Sequence, residues 1–195
     1  MILYHNLAEK SSADDPKAPS SWFLSFNDKD NGLSISRCGF QCRINTETMI
    51  APASEWQGVR SNLGIKIDPK DMSKYYYEIE LLEPGPVRFG WATSGANLIL
   101  GNDKNGYAFD SSGFKVHDNR NEPYGLKFGA KGDRCGALID SYSGAIGWFK
   151  DNDFLWEAYR LPASVIKQPL FPCICVKGDA IISARFSPSG KCFKI

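Results

Sequence analysis

The sequence offers metal chemistry very little. Its 195 residues contain only two histidines, His5 and His117, which lie far apart. Six cysteines occur, at Cys38, Cys42, Cys135, Cys173, Cys175 and Cys192, yet none forms a C-x-x-C pair. No zinc-ligand spacing follows from either set, and neither a metal nor a cofactor is expected. The chain lacks a G-x-x-x-x-G-K-[ST] phosphate loop and a D-E-A-D sequence, so it should not hydrolyse ATP. It also lacks a G-x-S-x-G elbow and a cysteine–histidine pair in supporting context, which leaves no catalytic residue to name. No apolar run approaches the length of a membrane span, residues 1–20 carry no signal-peptide core, and no N-x-S/T sequon occurs. A net charge of +1 removes any global field for nucleic acid or a membrane, so a basic site must be local.

What is present is strand-forming material. Aromatics make up 13% of the chain and glycine contributes 18 residues, a mix that suits strands joined by tight turns. Tyr77, Ile79 and Leu81 alternate with Glu78 and Glu80; after Glu83-Pro84-Gly85-Pro86, Val87, Phe89 and Trp91 alternate with Arg88 and Gly90. The run from Tyr75 to Asp110 therefore reads as a meander with an apolar face. Arg134 to Asp140 is apolar on both faces and should be a central strand. Leu170–Lys177 and Ala180–Phe186 read as a last hairpin around Gly178-Asp179, and Asp118–Gly125 as a polar loop. Leu161 to Gln168, with Pro162 at an early position and Pro169 ending it, is the one plausible helical turn. Some twelve to fourteen strands with almost no helix predict an all-β fold, an antiparallel sandwich over residues 22–187. Residues 1–21 read as a flexible segment and 188–195, with Lys191, Phe193 and Lys194, as a tail. Cys135, Cys173 and Cys175 sit inside apolar strands, where reduced thiols act as small hydrophobes; this points to a nuclear or cytoplasmic protein.

The order of segments resembles the SPRY domain, a bent β-sandwich used as a binding module. The pieces that carry the likeness are Tyr76-Tyr77-Glu78-Ile79-Glu80, Val87-Arg88-Phe89-Gly90-Trp91, Leu100-Gly101-x-Asp103 and Gly106-Tyr107-Ala108-Phe109. Gly132-Asp133-x-x-Gly136-x-x-x-Asp140, Gly144-x-Ile146-x-x-Phe149-x-x-Asn152 and Leu170-Phe171-Pro172 complete them. Trp22 with Asp28-x-x-Asn31-Gly32, Glu55-Trp56-x-Gly58-x-Arg60 and Gly90-Trp91-Ala92-Thr93 are similar to the SPRY insert of DEAD-box RNA helicases. On that likeness, residues 1–21 would include the end of a helicase-core helix. The same blocks occur in SPRY domains of a nuclear matrix ribonucleoprotein and of a trithorax-type methyltransferase subunit.

The resemblance implies a protein or peptide partner, acidic in the methyltransferase-subunit type, held at the positions of Trp56 and Arg88. An arginine fork beside an aromatic face suits a carboxylate. Arg60, close to Trp56, and Asn97, Lys104 and Tyr107, on and beside the loop from Ser94 to Asn105, complete the expected partner-binding set. Asp110 stands where the peptide pocket would carry a second arginine. Plainer readings exist: Trp56 as a core or lid aromatic, Arg88 as the ion-pair partner of Glu78 or Glu80. RNA is the alternative partner, through Lys115, His117, Arg120, Tyr124 and Lys127, where cations alternate with aromatics. Asp103, Asp110, Asp118 and Glu122 lie among them and offset the charge. No membrane and no small-molecule substrate is expected.

Overall fold

From Lys74 to Glu83 every second side chain is apolar, and the strand it forms, β5 (Lys74–Glu83), buries Tyr75, Tyr77, Ile79 and Leu81 while half-exposing the residues between. That pattern repeats through the chain and builds two facing sheets. The computed structural model describes residues 22–47, 52–70 and 72–186. The segment 1–21 and the tail 188–195, Cys192 included, fall outside those described residues.

The first sheet runs β1 (Leu24–Lys29), β4 (Gln57–Ser61), β13 (Leu170–Val176), β6 (Val87–Thr93), β7 (Gly106–Asp110), β8 (Phe114–His117), β9 (Arg120–Pro123). The second runs β12 (Asp153–Arg160), β11 (Ala145–Lys150), β10 (Arg134–Asp140), β5, β14 (Ile181–Arg185), β3 (Gln41–Ile44), β2 (Leu33–Ile35). Among the described residues, fourteen strands and one helical turn, α1 (Ala163–Ile166), make an antiparallel β-sandwich, as expected from the alternation. Side chains from both inner faces meet between the sheets: Phe89, Trp91 and Phe109 from the first, Tyr77, Ile79 and Trp148 from the second, each no more than 1% exposed. Tyr77 donates its buried hydroxyl to the carbonyls of Gly90 and Cys173, at 2.7 and 3.1 Å, tying the sheets together through a satisfied polar group. β10 is interior to its sheet, as its two apolar faces predict.

Three connections differ from expectation. The run from Tyr75 to Asp110 is not a meander: β5 and β6 belong to different sheets, and the turn at Glu83–Pro86 carries the chain across the sandwich. Leu170–Lys177 and Ala180–Phe186 are not a hairpin either. β13 pairs with β4 and β6, β14 with β5 and β3, and Gly178, at φ +67°, bends the chain from one sheet to the other. Alternation reports which side chains are buried but not which sheet a strand joins. The expected polar loop contains β9, which pairs with β8 across Asp118 and Asn119. Both turn residues have positive φ, +51° and +60°, the form whose twist matches a two-residue hairpin.

Five cysteines are described, all free, and only Cys38 is exposed. Among the described residues, no helix is long and apolar enough to cross a membrane, and no cluster of His, Cys, Asp and Glu has the makings of a metal site. The described chain also begins and ends side by side, with the rings of Trp22 and Phe186 6.2 Å apart.

Candidate partner-binding site

The outer face of the first sheet is built from small residues. Gly58, Ala92, Ala108, Cys173 and Cys175 leave a shallow bed, and the loop from Ser94 to Asn105 lies down in it. A Cβ on Gly58 would stand 2.0 Å from the Leu98 carbonyl oxygen. Cys175 donates to that carbonyl at 3.0 Å, and the Leu100 amide donates to Cys175 Sγ at 3.1 Å. Beneath the loop, Ala96, Leu100 and Val116 close a second small core over the sheet, with Trp56 and Phe114 packed at its margin. Asp103 pins the loop from within, accepting from the Asn97 and Asn105 amides.

Two arginines project from this face and have different fates. Arg60 is 6% exposed and fully committed. Its Nε and Nη2 donate to the two oxygens of Asp28, at 2.7 and 2.9 Å, and Nη1 donates to the Ala96 carbonyl at 2.8 Å. Burial works against its charge, but Asp28 more than offsets this and the pKa is raised. Arg60 holds the loop to the sheet and is not open to a partner.

Arg88 keeps donors in reserve. Its register partner across the β6–β7 ladder is Asp110, whose Oδ2 accepts from Nε at 2.8 Å. The pairing expected with Glu78 or Glu80 does not form, because β5 lies in the other sheet; Glu80 instead takes Arg134 and Arg185. Asp110 Oδ1 accepts from the Ser112 amide at 2.8 Å. Arg88 makes no hydrogen bond through its Nη groups among the described residues, and its Cζ lies 4.8 Å from the ring centroid of the half-buried Trp56. Contact of this kind contributes about 1 kcal/mol and orients the guanidinium. Lys177 Nζ stands 5.9 Å from the same ring and has no carboxylate partner among the described residues. The site therefore presents an indole, an arginine with two unused nitrogens and a second cation, set against one carboxylate.

The other expected residues scatter. Asn97 and Lys104 lie exposed on the loop. Tyr107 is 2% exposed and faces inward, where it stacks on His117 at 4.2 Å. It is not part of the outer surface. His117 also bonds to the Gly106 carbonyl at 2.9 Å. Lys115 reaches into the wedge between the sheets, bonded to the Ala158 carbonyl and Glu122 and lying over Tyr159. Tyr124 accepts from the Trp148 amide and donates to the Trp156 carbonyl; burial pushes its pKa up to about 12. Arg120 and Lys127 are exposed. The set expected for RNA is thus split, three members inside the fold and two outside.

Two of the site's relationships are not visible in the sequence. Lys177 follows β13 and is remote in sequence from Trp56, so nothing in the sequence alone joins them. Asp110 drew notice for its charge, but its bond to Arg88 depends on ladder register.

The sequence profile of the SPRY domain matches residues 74–188. The ATP-dependent RNA helicase Ddx1 of Drosophila melanogaster is 31% identical over 160 residues, an alignment covering 82% of this chain and 20% of that protein. The ATP-dependent RNA helicase DDX1 of Xenopus laevis is 28% identical over 193 residues, covering 95% and 24%. A probable ATP-dependent RNA helicase ddx1 of Dictyostelium discoideum is 26% identical over 148 residues, covering 72% and 17%. The chain spans a quarter or less of the length of these relatives. Among solved structures, the SPRY domain of human HERC1 superposes with a TM-score of 0.64 at 11% identity, covering 83% of this chain and 96% of that one, a likeness of fold.

Proposed function

The chain belongs to the SPRY domain family, and from that membership we propose that it is a non-catalytic interaction module inserted in an ATP-dependent DEAD-box RNA helicase. Alignment with three helicases over most of this chain but a small part of theirs supports the helicase parent. The adjacency of Trp22 and Phe186 supports the insert, since a domain whose ends meet interrupts a host with little distortion. An intracellular setting, nuclear or cytoplasmic, agrees with the reduced cysteines.

The module binds an acidic protein segment on the outer face of its first sheet. The observation that carries this reading is the unspent nitrogen pair of Arg88 over Trp56. A peptide carboxylate there meets two parallel N–H donors, while an apolar neighbour on the peptide packs on the indole. Asn97 and Lys104 line the adjoining loop. RNA binding has less support, because Lys115, His117 and Tyr124 are engaged within the fold.

The test is calorimetric titration of the domain with acidic peptides and with single-stranded oligoribonucleotides across a salt series. Peptide binding lost in both Arg88→Ala and Trp56→Ala is the expected result. Oligonucleotide binding that weakens steeply with salt and ignores both substitutions sinks it.

A further inference from the structure

Phe26 on β1 and Phe40 just before β3 leave their rings 48% and 37% exposed, beside the place where the described chain begins and ends. Ring contacts join them through that place. Phe26 lies 6.0 Å from Phe23, Phe40 lies 6.5 Å from Phe186, and Phe186 lies 6.2 Å from Trp22, the chain neighbour of Phe23. Phe23 in turn covers the turn that carries Phe40. A Cβ on Gly39 would stand 2.7 Å from Phe23 Cβ, and the Gly39 carbonyl accepts from the Leu24 amide at 2.7 Å. With φ at +77°, Gly39 excludes a side chain twice over, by its left-handed backbone and by the phenylalanine against it.

The charge beside this aromatic patch is positive. Arg37 is exposed in the turn between β2 and β3, outside the ladder, so strand register sets nothing across from it. It has no carboxylate partner among the described residues. Asp28, two residues beyond Phe26, is already taken by Arg60.

Two stretches of this chain lead to and from the patch, residues 1–21 into Trp22 and residues 187–195 out of Phe186. Both hold large apolar side chains: Ile2, Leu3, Tyr4 and Leu7 in the first, Phe193 and Ile195 in the second. Charge separates them. The second carries Lys191 and Lys194 and no acid, so Arg37 repels it, whereas the first sets Asp14 and Asp15 between its apolar end and Trp22. Tethering favours the first over a free partner of the same make-up. A coil the length of residues 8–21 spans about 20 Å, which corresponds to a local concentration on the order of 1 mM. A contact too weak to hold a free peptide at micromolar concentration is then about half formed within one chain.

We propose that residues 1–21 clasp back onto their own domain, with Ile2, Leu3, Tyr4 and Leu7 on the rings of Phe26 and Phe40 and with Asp14 and Asp15 beside Arg37. The clasp fixes the direction from which the chain enters the sandwich. On the helicase reading, on which this last step alone rests, the entering segment belongs to the host, and the clasp seats the module against the protein it interrupts. The patch shares no residue with Trp56, Arg88 and Lys177, so its failure leaves the partner-binding reading untouched.

The test is paramagnetic broadening of amide signals in the full chain. Cys38, two residues from Phe40, is exposed and the other four described cysteines are buried, so a nitroxide attaches there once Cys192→Ser removes the tail thiol. Tethering alone broadens residues 2–7 somewhat, and the clasp is read from the part that substitutions remove. Leu3→Ser with Leu7→Ser, both outside the sandwich, should lower the broadening of residues 2–7 about twofold or more. Arg37→Glu should lower it too, and Asp14→Lys with Asp15→Lys in the same chain should restore it. Any of three results overturns the proposal. One is broadening of residues 2–7 that Leu3→Ser with Leu7→Ser leaves unchanged. Another is broadening of residues 192–195 that Phe193→Ser reverses, which puts the tail on the patch. The third is broadening passed from labelled to unlabelled molecules in a mixture, which puts a second copy there.

Discussion

Arg88 and Asp110 face each other across the β6–β7 ladder, joined at 2.8 Å, with side chains only 14% and 11% exposed. The pair fixes the guanidinium over Trp56, yet it sets a carboxylate beside the place where an acidic ligand would bind. Asp110→Asn separates the two effects. It keeps an oxygen for the Ser112 amide and removes the charge. Denaturant melts should show a loss of about 1–3 kcal/mol. Acidic peptides should bind more tightly, by about 1 kcal/mol or roughly fivefold, because a repulsive neighbour is gone. A decrease in affinity would assign Asp110 to orienting the arginine above all else.

Arg60 offers the contrasting case. With three donors committed and 6% exposure, its removal strands Asp28 and the Ala96 carbonyl. Arg60→Ala should cost about 3 kcal/mol in denaturant unfolding. Lysine has no planar fork, so Arg60→Lys should recover only part of that. Peptide affinity per folded molecule, read by calorimetry below the melt, should change little with lysine in place.

The loop depends on an absent side chain. Gly58→Ala puts a methyl against the Leu98 carbonyl at 2.0 Å, in conflict with backbone that cannot rotate away. The sheet and loop must part, at a cost of about 1–3 kcal/mol or more. The local reporter is the Leu100 amide, held by Cys175 Sγ at 3.1 Å. Its hydrogen exchange should quicken in Gly58→Ala beyond what the global loss of stability explains.

Much of this was legible in the chain itself. The alternation in β5 and β6 put Tyr77, Ile79, Leu81, Phe89 and Trp91 in the core, and all five are there. Strand partners were not legible, since period two carries no information about which sheet receives a strand. That is why the turn at Gly178-Asp179 reads as a hairpin in the sequence, and why Glu78 and Glu80 stand there as plausible partners of Arg88. Trp156, 77% exposed on β12, stands outside that pattern for a related reason. Its exposure comes from a bulge, and a bulge shifts the alternation instead of following it. Of the paired cations, Arg60 and Arg88 look alike in sequence, and only their different neighbours, Asp28 with Ala96 and Asp110 with Trp56, separate scaffold from surface.

The acid side of the stability curve should report on Asp133. Its Oδ2 accepts from the Gly129 and Ala130 amides at 2.8 and 2.9 Å, and Oδ1 takes Lys150 at 3.3 Å. Burial opposes the charge, but the two amides and the lysine outweigh it, and the pKa falls below its ordinary 3.8. A carboxyl with a lowered folded pKa stabilises the fold above its unfolded pKa, and that stabilisation is lost as pH falls through the folded value. Asp133→Asn, which cannot titrate, should therefore be less stable than the parent at pH 7, by about 1–3 kcal/mol. The gap should hold down to about pH 4 and close below it, as the parent's carboxyl takes up its proton. Parallel urea melts of the two proteins from pH 7 to pH 2 measure this directly. A gap that stays constant across the range would mean that the carboxylate's charge contributes nothing, and that the loop needs only an oxygen in that position.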